Sequence, residues 1–318
     1  MADPPALIVA GPTCSGKSGL ALDIAERVGG TVINADAMQV YRDLRILTAR
    51  PRPEEEGRVP HRLYGVRLAA CPGDVAWWRA AALAAMDEAR LEGRLPILCG
   101  GSGLYLAALT EGLAPIPRVD ATARAEAREM LARLGPQALH ARLAAADPRT
   151  ADRLRPSDGQ RIARAWEVWR STGIGLATWQ SHPANPAPWR FAAILLAPDR
   201  AILRAAIGRR FAGMLEAGAL GEVRALLAQG LASTLPVMRA LGVSELVAYI
   251  QGEIGSEEAI RRAVVATGQY AKRQTTWFRH HSLASSDRLH TIDALHGHPA
   301  QFSERLEPDI VNFVESRC

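Results

Sequence analysis

Five short apolar runs punctuate this chain, and each stops at a glycine, a proline or a polar turn. Leu7-Ile8-Val9-Ala10, Thr31-Val32-Ile33-Asn34, Leu95 to Cys99, Phe191 to Leu196 and Leu289 to Asp293 are too short for helices. They lack polar alternation, which predicts strands buried on both faces. Between the first two runs, Leu20, Ala21, Ile24, Ala25 and Val28 recur at helical spacing. Gly29-Gly30 predicts the stop of that helix. Strands alternating with helical segments in this way predict an α/β fold, a parallel sheet with helices on both faces.

The pattern changes between 116 and 189. Pro115 and Pro117 open this section, and Pro183, Pro186 and Pro188 close it. Inside it helical periodicity persists and no strand pattern occurs, so the chain divides into a first part of the core (1–115), a helical insertion (116–189), and a segment that completes the core and adds C-terminal helices (190–318). Trp166 and Trp169 fall on one apolar helix face and read as core of the insertion. No internal repeat or long low-complexity tract appears.

Composition sharpens this picture at a few points. With 318 residues, 48% of them hydrophobic and 22% charged, the chain can bury a large core and wholesale disorder is excluded. Its net charge of +5 is mild, but between 118 and 170 eleven arginines face seven acidic residues. That excess makes the insertion either a nucleic-acid surface or an Arg-rich solvated helix pair. Cys14, Cys71, Cys99 and Cys318 share no metal-type spacing, which predicts reduced thiols and a cytoplasmic protein. His280-His281 and His296-x-His298 lack nearby ligand partners and read as solvated loops. The chain opens with no basic segment followed by a long apolar run, and no stretch of about 18 apolar residues occurs, so neither a secretory leader nor a membrane span is expected.

The strongest chemical signal is Gly11-Pro12-Thr13-Cys14-Ser15-Gly16-Lys17-Ser18, which fits the phosphate-loop pattern and stands between a strand and a helix, as the motif requires. Backbone N–H groups of such a turn converge on an anion, and the helix that follows adds its positive end. Lys17 neutralises phosphate charge, and the Ser18 hydroxyl can coordinate Mg²⁺. Lys17 and Lys272 are the only lysines among 38 cationic residues. An ammonium is a compact point charge where a guanidinium is a planar fork. The motif alone leaves open whether its ligand is ATP or another diphosphate.

Asp36 follows the second strand, and Gly100-Gly101-Ser102-Gly103-Leu104-Tyr105 follows the third. The carboxyl ends of parallel strands share one edge, so both open toward the phosphate loop. A carboxylate there could be a general base, a metal ligand or a helix-cap residue. Gln160, Arg161 and Arg164 could share a helix face. Tyr270 to Arg279 interleaves basic and aromatic residues, which suits an RNA contact or a snorkelling surface helix.

Taken in order, these motifs resemble the tRNA dimethylallyltransferases. The resemblance rests on residues 11–18, Asp36-Ala37-Met38-Gln39-Val40-Tyr41-Arg42, residues 100–105, Asp158-Gly159-Gln160-Arg161-Ile162-Ala163-Arg164, and Tyr270-Ala271-Lys272-Arg273-Gln274 with Trp277, and it spans roughly 7 to 280. It implies a kinase-like phosphate-loop fold and a Mg²⁺-dependent prenyl transfer. In that reading the dimethylallyl group passes from its diphosphate to the N6 amine of adenosine at tRNA position 37, beside the anticodon. The donor diphosphate would lie on residues 11–18, with Arg210 near it and Ser18 on the metal. Asp36 would accept the amine proton, with Lys17 and Ser102 assisting at the leaving oxygen. Asp36, Ala37, Met38, Gln39, Ser102, Arg124, Gln160 to Arg164 (with Ile162 and Ala163) and Lys272 would contact tRNA. Ala37 and Ser102 stand where the family commonly has Ser and Thr. A cytoplasmic monomer is expected. Other readings compatible with the residues are an ATP-dependent small-molecule kinase using Asp199 for Mg²⁺, a prenyltransferase acting on free adenine nucleotides, and a non-catalytic RNA-binding protein.

Overall fold

The computed structural model describes residues 3–295 and 306–318, with side chains from 308 in the last segment. In chain order the principal elements are β1 (Pro5–Ala10), α1 (Lys17–Val28), β2 (Gly30–Asn34), β3 (His61–Arg62), α2 (Val75–Leu91), β4 (Leu95–Gly100), α3 (Gly103–Thr110), α4 (Ala121–Ala146), α5 (Gly159–Thr172), β5 (Arg190–Leu196), α6 (Arg200–Glu216), α7 (Ala219–Leu227), α8 (Val243–Ile250), α9 (Ser256–His280), β6 (Leu289–Ile292) and α10 (Leu306–Arg317). The chain forms two compact units: Met1–Thr110 with Ala187–Cys318, and Glu111–Pro186.

In the first unit six parallel strands lie in the order β3-β2-β4-β1-β5-β6. Alternate residues of β1 feed opposite cores. Ala6, Ile8 and Ala10 pack with Trp78, Ala82 and Met86 of α2 and Leu106 and Leu109 of α3. Leu7 and Val9 pack with Leu20, Ala21 and Ile24 of α1 and Ile310 and Val314 of α10. Burial on both faces is why the central strands read as continuous apolar runs. The sheet is therefore the expected parallel α/β sheet with helices on both faces. Its sixth strand, β3, consists of His61 and Arg62 pairing with β2 at the edge. Two polar residues give no apolar run, so this strand has no signature in the sequence.

The prolines that flank the insertion bracket its limits loosely. Ala187 N–H donates to Leu109 O (2.8 Å), and Ala187 and Trp189 are buried in the first unit's core. The chain thus re-enters that unit at 187, where an apolar Trp makes the boundary. The second unit has no strand among the described residues. Met130, Leu139, Leu143, Ile162 and Trp166 form its core, with Trp169 packed against it. Gly135, with φ 77, and Pro136 break α4.

Two smaller expectations change. His280 ends α9 as a helical residue, and His281 stacks flat on Trp277, ring centroids 4.2 Å apart. His280 is thus exposed but helical, and His281, just past the helix end, is only half-exposed, because the indole one turn earlier offers its imidazole an apolar face. His296 and His298 lie outside the described residues. No helix among the described residues is long and apolar enough to cross a membrane.

Trp78 links the α2 layer to the sheet edge that carries the site. Its ring stacks on Tyr105 at 4.3 Å, and its indole N–H donates to the buried Asn34 carbonyl at 2.8 Å. Trp78→Phe keeps most of the ring contact and leaves that carbonyl unpaired, with an expected loss of about 1–3 kcal/mol in urea unfolding. An unchanged midpoint and slope would show that the bond contributes nothing.

Candidate active site

The carboxyl end of β2 is held by one side chain. Asn34 is fully buried. Its Oδ1 accepts the Asp36 N–H (2.8 Å), and its Nδ2 donates to the carbonyls of Asp36 (3.0 Å) and Leu63 (3.1 Å). A buried amide with its donors and acceptor engaged fixes the backbone around it. Asp36 is pinned further by its own Oδ1, which accepts the Met38 N–H at 2.9 Å. The chain continues into a loop that folds back on itself. Gln39, itself buried, donates through Nε2 to the carbonyls of Thr48 (2.9 Å) and Ala49 (3.0 Å). Glu222 of α7 accepts the N–H groups of Arg45, Ile46 (2.9 Å) and Leu47 (3.0 Å). The Gln39 amide nitrogen, expected among the tRNA contacts as part of that residue, is thus occupied inside the protein.

At the end of β4 the turn locks onto this segment. Ser102 N–H donates to Ala35 O (3.2 Å), and Ala37 N–H donates to Ser102 Oγ (2.9 Å). Ser102 and Asp36, 66 positions apart in order of sequence, therefore share one junction. Tyr270 of α9 faces it: burial raises the Tyr270 phenol, the Asp36 charge adds to that, and the Ser102 hydroxyl opposes it by hydrogen bonding.

The phosphate loop leaves β1 beside these turns. Cys14 (φ 65) and Gly16 (φ 86) both take left-handed conformations, the backbone alternation that turns successive N–H groups toward a common point. Gly16 also begins α1, whose first turn carries Lys17 and Ser18. Three residues expected to bind the ligand also shape the loop. Pro12 O accepts the Ser15 N–H (3.2 Å), the Ser15 side chain is fully buried, and Thr13 N–H donates to Gln274 Oε1 (2.8 Å). Gly11, Cys14 and Gly16 supply the turn, while Lys17 is half-buried and Ser18 exposed. Arg210 of α6 joins the loop through Nη1, which lies 3.5 Å from Cys14 Sγ.

Cys99 records how close these groups stand. Burial pushes its thiol up to about 11, opposed by the Lys17 charge and a hydrogen bond with Ser18, and supported by the Asp36 charge. Lys17, Ser18 and Asp36 are thus gathered around the C-terminal end of β4. Lys272 is not gathered with them; it is exposed on α9 beside the buried Ala271. Asp199 is committed elsewhere, since it caps α6 by accepting the Ala201 N–H (2.7 Å).

In the second unit two distant expected residues meet through one that the sequence reading missed. Glu167, only 9% exposed, takes an ion pair from Arg164 of its own helix α5 and another from Arg124 of α4 (3.7 Å). Glu126 likewise accepts from Arg170 (3.0 Å) and the Trp166 indole (3.2 Å). Gln160 and Arg161 are exposed at the start of α5, where Asp158 caps the helix and pairs with Arg161. Ile162 departs from expectation: its side chain is wholly inside the core, because the face opposite Gln160 and Arg161 must be apolar to pack. Ala163 is half-buried against the same core.

Comparison with known proteins fits this arrangement. Residues 39–281 match the IPP transferase family profile, and residues 5–67 match that of isopentenyl transferases. A tRNA dimethylallyltransferase of Granulibacter bethesdensis is 59% identical over 312 residues, 98% of either chain. One from Gluconobacter oxydans is 58% identical over 313 residues, covering 98% of this chain and 94% of its own. The crystal structure of a full-length tRNA isopentenylpyrophosphate transferase from Bacillus halodurans aligns with a TM-score of 0.70 and 30% identity, over 98% of this chain and 96% of that one. A eukaryotic dimethylallyltransferase acting on tRNA, 24% identical, shares the fold with a TM-score of 0.79 over 99% of this chain and 80% of its own.

The burial of Cys99 has a direct chemical consequence. At pH 8 a thiol titrating near 11 holds about one thiolate in a thousand, and the thiolate is the nucleophile. Iodoacetamide is expected to alkylate the exposed Cys71 and spare Cys99 in the folded protein, with both modified in denaturant. Peptide mass spectrometry reads the difference; equal rates in the native state would contradict the closed packing behind Lys17.

Proposed function

The chain belongs to the tRNA dimethylallyltransferase family, and from that premise we propose that the phosphate loop holds the prenyl diphosphate while Asp36 receives a proton from the acceptor amine. The protein transfers the dimethylallyl group from dimethylallyl diphosphate to a tRNA adenosine. The observation that carries the residue assignment is the Ala37 N–H to Ser102 Oγ bond of 2.9 Å, which brings the proposed base and the proposed leaving-group contact to one junction beside the phosphate loop.

In this reading the N6 amine of adenosine 37 attacks the first carbon of the prenyl group. The bond from that carbon to the diphosphate oxygen breaks, and its electron pair leaves with the diphosphate. An allylic carbon tolerates positive character as this happens, so much of the barrier lies in accommodating charge on the departing oxygen. Backbone N–H groups of the loop, Lys17 and Arg210 are the groups that would meet that charge. The Ser102 hydroxyl accepts from Ala37 and hydrogen-bonds with Tyr270; turned from that phenol, its proton would meet the leaving oxygen. Asp36 takes the proton that the amine gives up.

The donor set suits Mg²⁺. Ser18 offers a hard oxygen in the first turn of α1, close to Lys17 and Asp36 around Cys99. Among the described residues no three carboxylates, imidazoles or thiols converge into a metal cage. A Mg²⁺ held by the Ser18 hydroxyl would draw its other ligands from the diphosphate and water, the usual pattern for this ion with phosphates. It would supply additional positive charge to the leaving group.

An adenine stacked in an anticodon loop must swing out before its amine can be attacked. The backbone of Ala37 and Met38 would receive the extruded base, and Arg124, Gln160, Arg161, Arg164 and Lys272 would contact the RNA backbone or neighbouring bases. Arg124 and Arg164 are the paired guanidiniums on Glu167, which would present them as a fixed fork. A monomer acting in the cytoplasm completes the reading. The kinase alternative loses its metal carboxylate, because Asp199 caps α6. The alternative of a free-nucleotide acceptor leaves the arginine excess of the second unit without a task.

Incubation with labelled dimethylallyl diphosphate and unmodified tRNA, followed by nucleoside analysis, should put label on N6 of adenosine 37; label on free AMP instead would support the nucleotide acceptor. Asp36→Asn keeps an acceptor for the Met38 N–H but removes the base, so kcat should fall by about 10²–10⁴, with donor and tRNA affinities within about twofold. Retained turnover would remove Asp36 from the chemistry. Lys17→Ala should raise the donor Kd about tenfold or more, the effect of losing a charge-assisted phosphate contact; unchanged donor affinity, measured by calorimetry, would move the diphosphate off this loop.

A further inference from the structure

Gln274 is among the eight polar or charged residues buried in the described chain, at 5% exposed. It sits in the last third of α9, and its amide spans two loops that leave different strands. Oε1 accepts the Thr13 N–H of the phosphate loop (2.8 Å), and Nε2 donates to Gly101 O at the end of β4 (2.8 Å). The approach is tight: a Cβ at Gly101 would stand 2.2 Å from Gln274 Nε2, so position 101 is a glycine because the amide occupies that space. Reversing the amide would set oxygen against oxygen and N–H against N–H, so both bonds select one orientation.

The next residue after Gly101 is Ser102, whose Oγ accepts the Ala37 N–H beside Asp36. A continuous chain of short bonds therefore runs from the phosphate loop through Gln274 to Gly101, Ser102 and the Asp36 segment. Thr13 N–H is consumed by this bridge and Ser15 N–H by Pro12 O, which leaves the amides of Cys14, Gly16 and the start of α1 to meet a diphosphate.

We propose that Gln274 is a positioning residue that sets the spacing between the phosphate loop and the Ser102–Asp36 junction, and so places the leaving oxygen of the donor against the Ser102 hydroxyl. The inference rests on the reading of Asp36 and Ser102 given above. Gln274 touches neither substrate; it acts through Thr13 and Gly101. Misplacing reacting groups by even about an ångström costs about 10²-fold in rate, so loosening the bridge should register in turnover and donor use, while leaving affinity for tRNA alone.

Two substitutions test it in the full-length enzyme. Gln274→Met fills similar space and leaves the Thr13 N–H and Gly101 O unpaired. It should lower kcat about tenfold or more and raise the donor KM several-fold, with tRNA Kd unchanged. Gln274→Glu keeps an acceptor for Thr13 but sets a carboxylate oxygen against the Gly101 carbonyl. Protonating that carboxyl restores a donor, so its kcat/KM relative to wild type should climb about fivefold or more from about pH 8 to pH 6, the range in which a buried carboxyl with a raised pKa takes up its proton. A residue that merely supports the fold would not yield this pH-dependent recovery. If the methionine variant fails to fold, the glutamate profile decides. A flat glutamate profile, or a methionine variant with kcat and donor KM within about twofold of wild type, or one whose tRNA affinity falls along with turnover, would overturn the proposal. Asp36→Asn run alongside separates the two claims: if it stays active, the reading of Asp36 fails whatever Gln274 does, and if it is inactive while the Gln274 variants behave as wild type, only the bridge fails.

Discussion

The site depends on the bond from Ala37 N–H to Ser102 Oγ. Parallel strands deliver their carboxyl ends to a common edge, but they do not set how the loops beyond them are spaced. Here the exits of β2 and β4 are fastened to each other. Ala35 donates to Cys99 O and accepts from Ser102, and the Ser102 hydroxyl then takes the next free amide. Asn34 and Gln274 extend the same economy of polar groups, each a buried amide whose side-chain bonds all go to backbone of the strand exits or of neighbouring loops. A buried amide left half-satisfied is costly, so these residues resist small displacements of the loops they tie. The site's rigidity is a consequence of hydrogen-bond satisfaction at a sheet edge.

Glu167 does the corresponding work in the second unit. Two arginines on different helices would repel one another if simply brought together. A nearly buried carboxylate between them lets both stay charged and holds their stems in place. An Arg-rich surface built this way presents guanidiniums at fixed positions, which distinguishes it from a coat of freely moving cations. Phosphate recognition by Arg gains from that, since the planar fork binds best when its orientation is already set.

How much of this could be read from the sequence follows from the range of each signal. The central strands are legible because burial on both faces forces every residue to be apolar, and the phosphate loop because its glycines, Lys17 and Ser18 are consecutive. β3 is silent, since two residues at an edge, His61 and Arg62, carry no pattern. The motif around Ile162 is contiguous in sequence, but a helix turns about 100° per residue, so Gln160 and Arg161 are exposed while Ile162 turns into the core. Asn34 and Gln274 lie within the strand and motif segments, yet nothing in the order of residues reveals that Asn34 bonds to a backbone group 29 positions away, or Gln274 to groups 173 and 261 positions away. Glu222 had no signal at all, because its partners are three main-chain amides, and any residue can supply those.

The two lysines show how composition becomes informative only beside geometry. In a chain whose other cations are all arginine, Lys17 occupies the first turn of α1, directly after a left-handed glycine and half-buried against Cys99. A guanidinium there would have to fit a planar group among convergent backbone amides, while an ammonium needs only the space of a single atom and its donors. Lys272 meets no such constraint, since it is exposed on α9. Rarity therefore marks one lysine and not the other. What separates them is the crowding of the phosphate loop, where Thr13 is drawn to Gln274 and Arg210 already reaches Cys14. Charge delivered at so crowded a turn suits a compact ammonium, and that requirement, more than the total of positive residues, is why we propose this sheet edge as the diphosphate site.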